Sequence, residues 1–552
     1  MNAWAAVAAR RCLTCRPSRR GAGAILLLAF APVAASAITG FEVEEPVEGL
    51  PIRHIEVRAL NLFEPAPAGR LRPLYRLVNR LHLTTRPGVI REQLLFRRGE
   101  PWSESRGRET ARALRNLDIL EPVRLEARRA GDSVDVRVET RDAWTTAPQL
   151  AIEGGGGQHF LAVSVVERNL FGLAKSINFV YDETPEGVFR SVGYRDPALG
   201  GSRWRLGING GTGSEGAAQS FELAQPFYAE DAPQSQGLRW SRNTSVARLY
   251  QDGAEVAEFD RRVEDAEAWW GRGVRRGVAI WRLSGVFVLR DRRWSPSRLA
   301  PGAPAAFDGP EENRRTRLLG LEGRWWRPDF REWTGVDRLG SIEDIDLGSS
   351  LRLTTGFSPS ALGASGSEGY GAVRAEQGGS QGVWGFGQVN AELRSWNGAA
   401  PRESWGRLRG RWVQRLHPRH VLVSSGLGVL GHRMPRDFQE IVGGLAGLRA
   451  YPVREIAGAG IARFNLEHRW LLSAQILELV SLGAVGFYDA AHELGPGTQD
   501  TPWRHGAGFG LRLSLPRSSQ LRVARFDVAW PLRPGHDGRR APVFSFGSSQ
   551  VF

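Results

Sequence analysis

Few residues in this chain have the type and spacing to do chemistry. His417-Pro418-Arg419-His420 holds the only close pair of histidines, and the proline with alternation on both sides puts it at a turn. That spacing is not a zinc-binding helix motif, and no serine with a fixed carboxylate partner accompanies it to make a triad. Gly154-Gly155-Gly156-Gly157 lacks the Lys-Ser/Thr that completes a phosphate loop and reads as a bend between strands. Arg407, Arg409, Arg411 and Arg415 recur on one face of residues 406–416, a stripe that would favour anions if it lined a pore. The sequence therefore points away from an enzyme and calls for no metal or cofactor. What it offers is charged side chains at alternate positions.

Those charges need strands to present them, and strands dominate from Asp142-Ala143-Trp144 to the end. Stretches of about ten residues alternate in polarity between segments rich in Gly, Pro, Asn and Asp. Ala462, Phe464, Leu466 and Trp470 share one face, with Arg463, Asn465, Glu467 and Arg469 on the other. Phe509, Leu511, Leu513 and Leu515 oppose Gly508, Gly510, Arg512 and Ser514, while Ala524, Phe526, Val528 and Trp530 oppose Arg525 and Asp527. A soluble β-sandwich alternates too, but such a domain needs about 100 residues and this region is several times longer. The pattern predicts a mainly β protein, a transmembrane antiparallel β-barrel over residues 142–552. At about 25 residues per strand and connection it would have about sixteen strands.

Composition agrees. A mean hydropathy of −0.31 excludes a bundle of membrane helices, while a barrel shows lipid only every second residue. Nineteen Trp and 24 Phe exclude a disordered chain. The formal charge of +14 tempts a nucleic-acid reading, yet Lys175 is the only lysine among 73 basic residues, the mark of G+C-rich codons. The arginines are scattered among acids, so no nucleic-acid partner is expected.

The first 37 residues read as a secretory signal: Arg10, Arg11, Arg16, Arg19 and Arg20, then an apolar run around Ile25 to Leu28, then Ala35-Ser36-Ala37. Cys12 and Cys15, the two cysteines of the chain, would leave with it, along with any thiolate chemistry. Residues 38–50 read as a linker. Residues 51–141 read as a small α+β unit: a strand from Ile52 to Val57, an inserted helical stretch with Leu74, Leu77, Val78 and Leu81, a short helix from Val89, a helix capped by Ser103, and two strands, 123–128 and 134–140. In the capped helix Ala111, Leu114 and Leu117 should turn inward, with Arg108 and Glu109 toward water. The order implies a three-stranded sheet with two helices on one face.

The end of the chain, Phe544-Ser545-Phe546-Gly547-Ser548-Ser549-Gln550-Val551-Phe552, looks like the terminal signal of bacterial outer-membrane barrels, with Phe544, Phe546 and Phe552 as its aromatics and Gln550 departing from it. Val442-Gly443-Gly444-Leu445-Ala446-Gly447-Leu448-Arg449-Ala450-Tyr451 resembles the inward-folding loop of the BamA/TamA-type superfamily of outer-membrane assembly and translocation barrels. That loop carries a Val-Arg-Gly-Tyr/Phe motif, so Ala450 stands where the family has glycine. Glu167-Arg168-Asn169-Leu170-Phe171-Gly172-Leu173 and Tyr194-Arg195-Asp196-Pro197 resemble the family's early barrel signatures, and the α+β unit resembles a single POTRA domain.

The resemblance implies a latch inside the barrel. Arg449, with Tyr451 beside it, would be held by the acid of a Phe-x-Asp-x-Gly motif, here Phe487-Tyr488-Asp489-Ala490-Ala491, with Glu467 as a second candidate partner. A buried arginine needs a carboxylate, and a bidentate pair can hold a loop against a wall. It further implies a location in the bacterial outer membrane, with the POTRA-like unit in the periplasm. Unfolded outer-membrane or secreted clients would be received by strand addition at the edge formed by Val123 and Leu125 and inserted or passed by the barrel. An accessory lipoprotein or inner-membrane component would fit the same scheme. The alternative from the residues alone is a passive, anion-favouring outer-membrane channel.

Overall fold

The computed structural model describes residues 41–43, 46–64, 72–155, 158–337, 342–398, 401–476, 480–495, 498, 501–515, 523–538 and 540–548. The expected signal peptide lies outside them.

The α+β unit contains β1 (Phe41–Val43), β2 (Ile52–Leu60), α1 (Arg72–Leu81), α2 (Pro87–Gln93), α3 (Glu104–Arg115), β3 (Leu120–Ala130) and β4 (Ser133–Asp142). Its sheet runs β1-β3-β4-β2, four strands where the sequence suggested three. Ile52, Val134, Val136 and Val138 face Ile90, Ala111 and Leu114 in one core. Residues expected as a linker belong to this unit. Val47 is fully buried in the core, and Glu48 accepts the N–H of Glu104 at 2.8 Å, capping α3 in place of Ser103, whose side chain makes no cap bond.

The expected client edge at Val123 and Leu125 is occupied in part. Val123 and Leu125 point into the core at 1% and 0% exposure, and β1 pairs in parallel with β3 from Leu125 to Ala127. The two edge strands of the sheet are β1, three residues long and paired with β3, and β2, nine residues long and paired with β4, so β2 offers the longer edge.

From Thr146 onward the chain forms a closed antiparallel barrel of twenty strands with six or more residues each, plus the two-residue segment Arg298–Leu299. The count exceeds sixteen because many connections are tight turns. Asp252-Gly253, for example, joins two long strands with both residues at positive φ, the conformation that matches strand twist. Closure runs through Phe546 opposite Gly154. Outside, Leu283, Leu319, Leu321, Leu353, Leu408, Phe509, Leu511 and Phe526 are exposed at alternate positions, an apolar belt suited to lipid. No helix among the described residues is long and apolar enough to cross a membrane.

The unit docks on the rim where the chain enters the barrel, here termed the proximal rim. The N–H of Arg86 donates to the Gly172 carbonyl at 2.9 Å, and Arg203 donates to the Leu94 carbonyl at 3.2 Å. Arg112 pairs with Glu230 at 2.7 Å and Arg106 with Asp231 at 3.0 Å. Glu109, expected to face water, is instead buried under this turn and accepts the N–H of Glu230 at 2.6 Å. Burial pushes the Glu109 carboxyl up to about 7, and burial likewise pushes Asp142 at the junction up to about 7 despite the N–H it accepts from Thr85.

A carboxyl whose folded value is raised holds a proton that the undocked chain has already lost. The contribution of these two groups is therefore most favourable below about pH 4 and falls as pH rises toward 7. Glu109 and Asp142 should make the docked unit more resistant to proteolysis and to heat at pH 5 than at pH 8, against an opposing contribution from His82, which lies 3.9 Å from Asp142 and whose imidazole is pushed down by burial. Glu109→Gln should raise resistance at pH 8 and flatten the profile, read by limited proteolysis of residues 51–141 across that range; an unchanged slope would count against this assignment.

Candidate functional site

On the opposite, distal rim the connection at residues 433–459 folds into the lumen instead of projecting outward. It carries a small hairpin of Glu440–Val442 with Ile456–Gly458, and Leu448, Ala450 and Tyr451 at its tip are at most 2% exposed. They pack on Val485, Phe487 and Ala529 of the barrel wall.

Arg449 is fully buried. Its Nε and Nη2 donate to the two oxygens of Asp489 at 2.8 Å each, and its own backbone N–H reaches the same carboxylate at 3.2 Å. Nη1 donates to Glu467 at 2.6 Å, so both acids nominated from sequence hold the arginine at once. The guanidinium carbon lies 3.4 Å from the centre of the Phe487 ring, which gives the motif phenylalanine a physical role. Tyr451 is fixed separately, its hydroxyl 2.9 Å from the carbonyls of His505 and Arg533.

Sequence reasoning missed the rest of the network. Glu467 also takes Arg469 at 2.8 Å, and Arg512 lies 3.6 Å from it. Arg512 pairs with Asp527 at 2.6 Å, and Asp527 is 3.7 Å from Arg449. Asn465 donates to Asp489 and to the Gly447 carbonyl, each at 2.7 Å. Within this network each of the three guanidiniums meets a carboxylate, the condition under which buried charge is tolerated. The signal was present, since all of these residues stand on the polar faces of alternating strands; their mutual register was not.

Small residues make the space. A side chain begun at Gly506, opposite Asp489 in register, would run into Ala450, and one at Gly510 would run into Asp527. Ala450, where the related motif has glycine, needs no left-handed backbone here and is accommodated by Gly506.

The loop is tied to the far wall as well. Gln439 exchanges two 2.9 Å hydrogen bonds with the backbone of Tyr250, Asp437 pairs with Arg261 at 3.2 Å, and Arg454 pairs with Glu186.

A second inward element lies on the proximal side, one that no pattern in the sequence marks. Between two barrel strands the chain forms a hairpin of Phe330–Thr334 with Ile342–Asp346. Trp333 and Val336 are buried against Phe386, Val413 and Val423. Asp344 takes Arg115 of α3 at 2.7 and 2.6 Å, and Arg112 lies 4.1 Å over Phe330. At its other end the Val336 carbonyl accepts a hydrogen bond from Arg469, which also holds Glu467. Direct contacts therefore run from α3 through the hairpin to the Arg449 cluster.

Among the remaining nominated residues, Phe544 is exposed on the outer face, Phe546 sits at the seam, and Phe552 lies outside the described residues. Arg407 and Arg411 are matched by Glu392 at 3.0 Å and Asp337 at 2.9 Å, while Arg409 is exposed. His468 comes to 3.1 Å from His420, but no group of three or more metal-ligating residues arranged for a metal occurs among the described residues.

Fold and site together define a class: an outward-apolar β-barrel with a docked α+β unit, closed within by an arginine-clamped loop and a hairpin. No family model matches the sequence, and no curated protein matches it. Among solved structures the chain is similar to BamA from Haemophilus ducreyi lacking POTRA domains 1–3, at 13% identity over 90% of this chain and 85% of that one, with a TM-score of 0.43. It is also similar to CdiB from Acinetobacter baumannii (12% identity, 91% and 74% covered, TM-score 0.46) and CdiB from Escherichia coli (12%, 91% and 77%, 0.47).

Arg449→Ala leaves Asp489 and Glu467 buried without their guanidinium, a loss of about 3–5 kcal/mol. It should lower the temperature at which the compact, detergent-resistant barrel opens in heat-modifiability gels, and Gly506→Val, which pushes Ala450 off the wall, should do the same. A barrel as heat-resistant as wild type in both variants would contradict the clamp.

Proposed function

We propose that this protein is an outer-membrane assembly or translocation factor of the BamA/TamA type, with the α+β unit on the periplasmic side. The observation that carries the reading is the fully buried Arg449, clamped by Asp489 and Glu467 at the tip of an inward-folded loop. A passive pore has no need of so costly an internal closure, whereas a barrel that opens only for a client does.

In this reading an incompletely folded client adds a strand to the open β2 edge, between Ile55 and Leu60. Displacement of the unit pulls on Arg115 and Asp344, shifts the hairpin and loosens Arg469 from Val336. The loop then leaves the wall, and the seam at Phe546 and Gly154 gives the client a place to pair. Folding of the client supplies the drive. A photoreactive residue at Arg58 on β2 should trap unfolded outer-membrane or secreted polypeptides in cells, and one at Arg124 on β3 should trap few. Normal levels of every such protein after deletion of residues 51–141 would overturn the reading.

One observation favours the anion channel instead. Arg282, Arg324, Arg352 and Arg374 stand directly opposite one another across four neighbouring strands, and the outward exposure of Trp281, Leu283, Leu321, Leu351, Leu353 and Val373 places the arginines in the lumen. Glu376 pairs with Arg374 at 2.9 Å and Glu322 lies 3.8 Å from Arg352, so the attraction for anions falls to Arg282 and Arg324. In planar bilayers the assembly reading expects a mostly closed wild type whose conductance rises in Arg449→Ala. Large, steady, anion-selective openings in the wild type, unaffected by that substitution, would support the channel.

A further inference from the structure

Helix α1 has two apolar faces, and the fold uses one. Tyr75 and Val78 pack on Phe63, with the Tyr75 and Phe63 rings 4.5 Å apart. Leu77 and Leu81, and Leu83 just beyond the helix, turn the other way and are 53%, 68% and 62% exposed. Apolar side chains exposed together in this way mark a surface that something other than water covers.

The position of the helix says what covers them. Asn79 exchanges hydrogen bonds with the backbone of Phe63 at 3.0 and 2.8 Å, fixing the helix on the unit. Asn169, beside the first proximal turn of the barrel, donates to the Leu83 carbonyl at 3.3 Å and to the Thr85 hydroxyl at 2.9 Å. Arg86 donates to the carbonyl of Phe171 on that turn at 3.1 Å. Phe171 is itself 63% exposed, and Val163, Val165 and Phe179 continue the exposed apolar surface on the adjoining barrel strands. The leucines thus extend the lipid-facing belt past the rim. The other flank of the helix carries the exposed Arg72, Arg76 and Arg80, suited to lipid phosphates.

We propose that α1 lies in the interface of the bilayer leaflet at the proximal rim, with Leu77, Leu81 and Leu83 among the acyl chains and its arginines at the phospholipid headgroups. The proposal rests on the reading of the barrel as membrane-spanning. It makes the α+β unit a membrane-braced body, so that its displacement by a client is a tilt about α1 that pulls on α3 and the hairpin.

The test is a single Leu81→Cys carrying an environment-sensitive fluorophore, with Cys12 and Cys15 absent from the exported chain or replaced by serine, in phosphatidylethanolamine/phosphatidylglycerol vesicles. The contrast site is Asp132→Cys, at the far end of the ten-residue strand β4 from the junction. The Leu81 label should emit at shorter wavelength than the Asp132 label, be quenched by nitroxide-bearing acyl chains and resist aqueous iodide. Leu77→Ser should return it toward water without changing heat-modifiability of the barrel. A Leu81 label as open to iodide as the Asp132 label, in vesicles where the heat-modifiable band shows the barrel inserted, would overturn the proposal and leave the barrel reading intact. Failure of the barrel to insert would overturn both. Protection in native membranes but not in vesicles of the purified protein would assign the surface to a partner protein and overturn the lipid assignment.

Discussion

A guanidinium cannot be taken out of water unless charge and hydrogen-bond acceptors are waiting for it. Arg449 is wholly removed from solvent at the tip of a loop that crosses the lumen, and the surrounding wall is built to that requirement. Asp489 and Glu467 supply the acceptors, Arg469, Arg512 and Asp527 extend the chain of alternating charges, and Phe487 covers one guanidinium face. Gly506 and Gly510 remove the side chains that would keep the loop away. Such a closure is stable while complete and weak once any member moves, which suits a switch better than a permanent plug.

The proximal hairpin gives the α+β unit a physical hold on that closure. Arg115 and Asp344 join it to α3, and the Val336 carbonyl joins it to Arg469 and hence to Glu467. Each link is a charged hydrogen bond or ion pair, set beside the apolar packing of Trp333 and Val336 on the barrel wall. In the proposed account, binding at the β2 edge biases the lumen closure through this element.

Much of this was legible in the sequence, for identifiable reasons. Alternation with period two announces barrel strands, because successive side chains point to the outer face and to the lumen in turn. Strand number was underestimated, since hydropathy does not record that a turn such as Asp252-Gly253 is only two residues long. Arg449, Asp489 and Glu467 could be nominated because they sit in a recognisable stretch. Asp527, Arg469 and Arg512 could not, because a lumen-facing charge looks the same whatever it meets across the sheet, and register decides the partner. Glu109 and the hairpin were missed for a related reason: both look like solvated polar segments until a second body is docked against them. The pattern of Val123 and Leu125 correctly marked a strand, but β1 occupies part of its edge and the side chains face the core.

The most direct test of the central claim is the coupling between Arg449 and Asp489 in a double-mutant cycle of Arg449→Ala and Asp489→Ala, read on the thermal opening of the barrel. If one buried clamp closes the lumen, the double variant should be little less stable than either single one, with a coupling energy in the upper part of the roughly 0.5–3 kcal/mol range seen for residues in contact. Fully additive losses would mean that the two residues act separately, and would contradict the account.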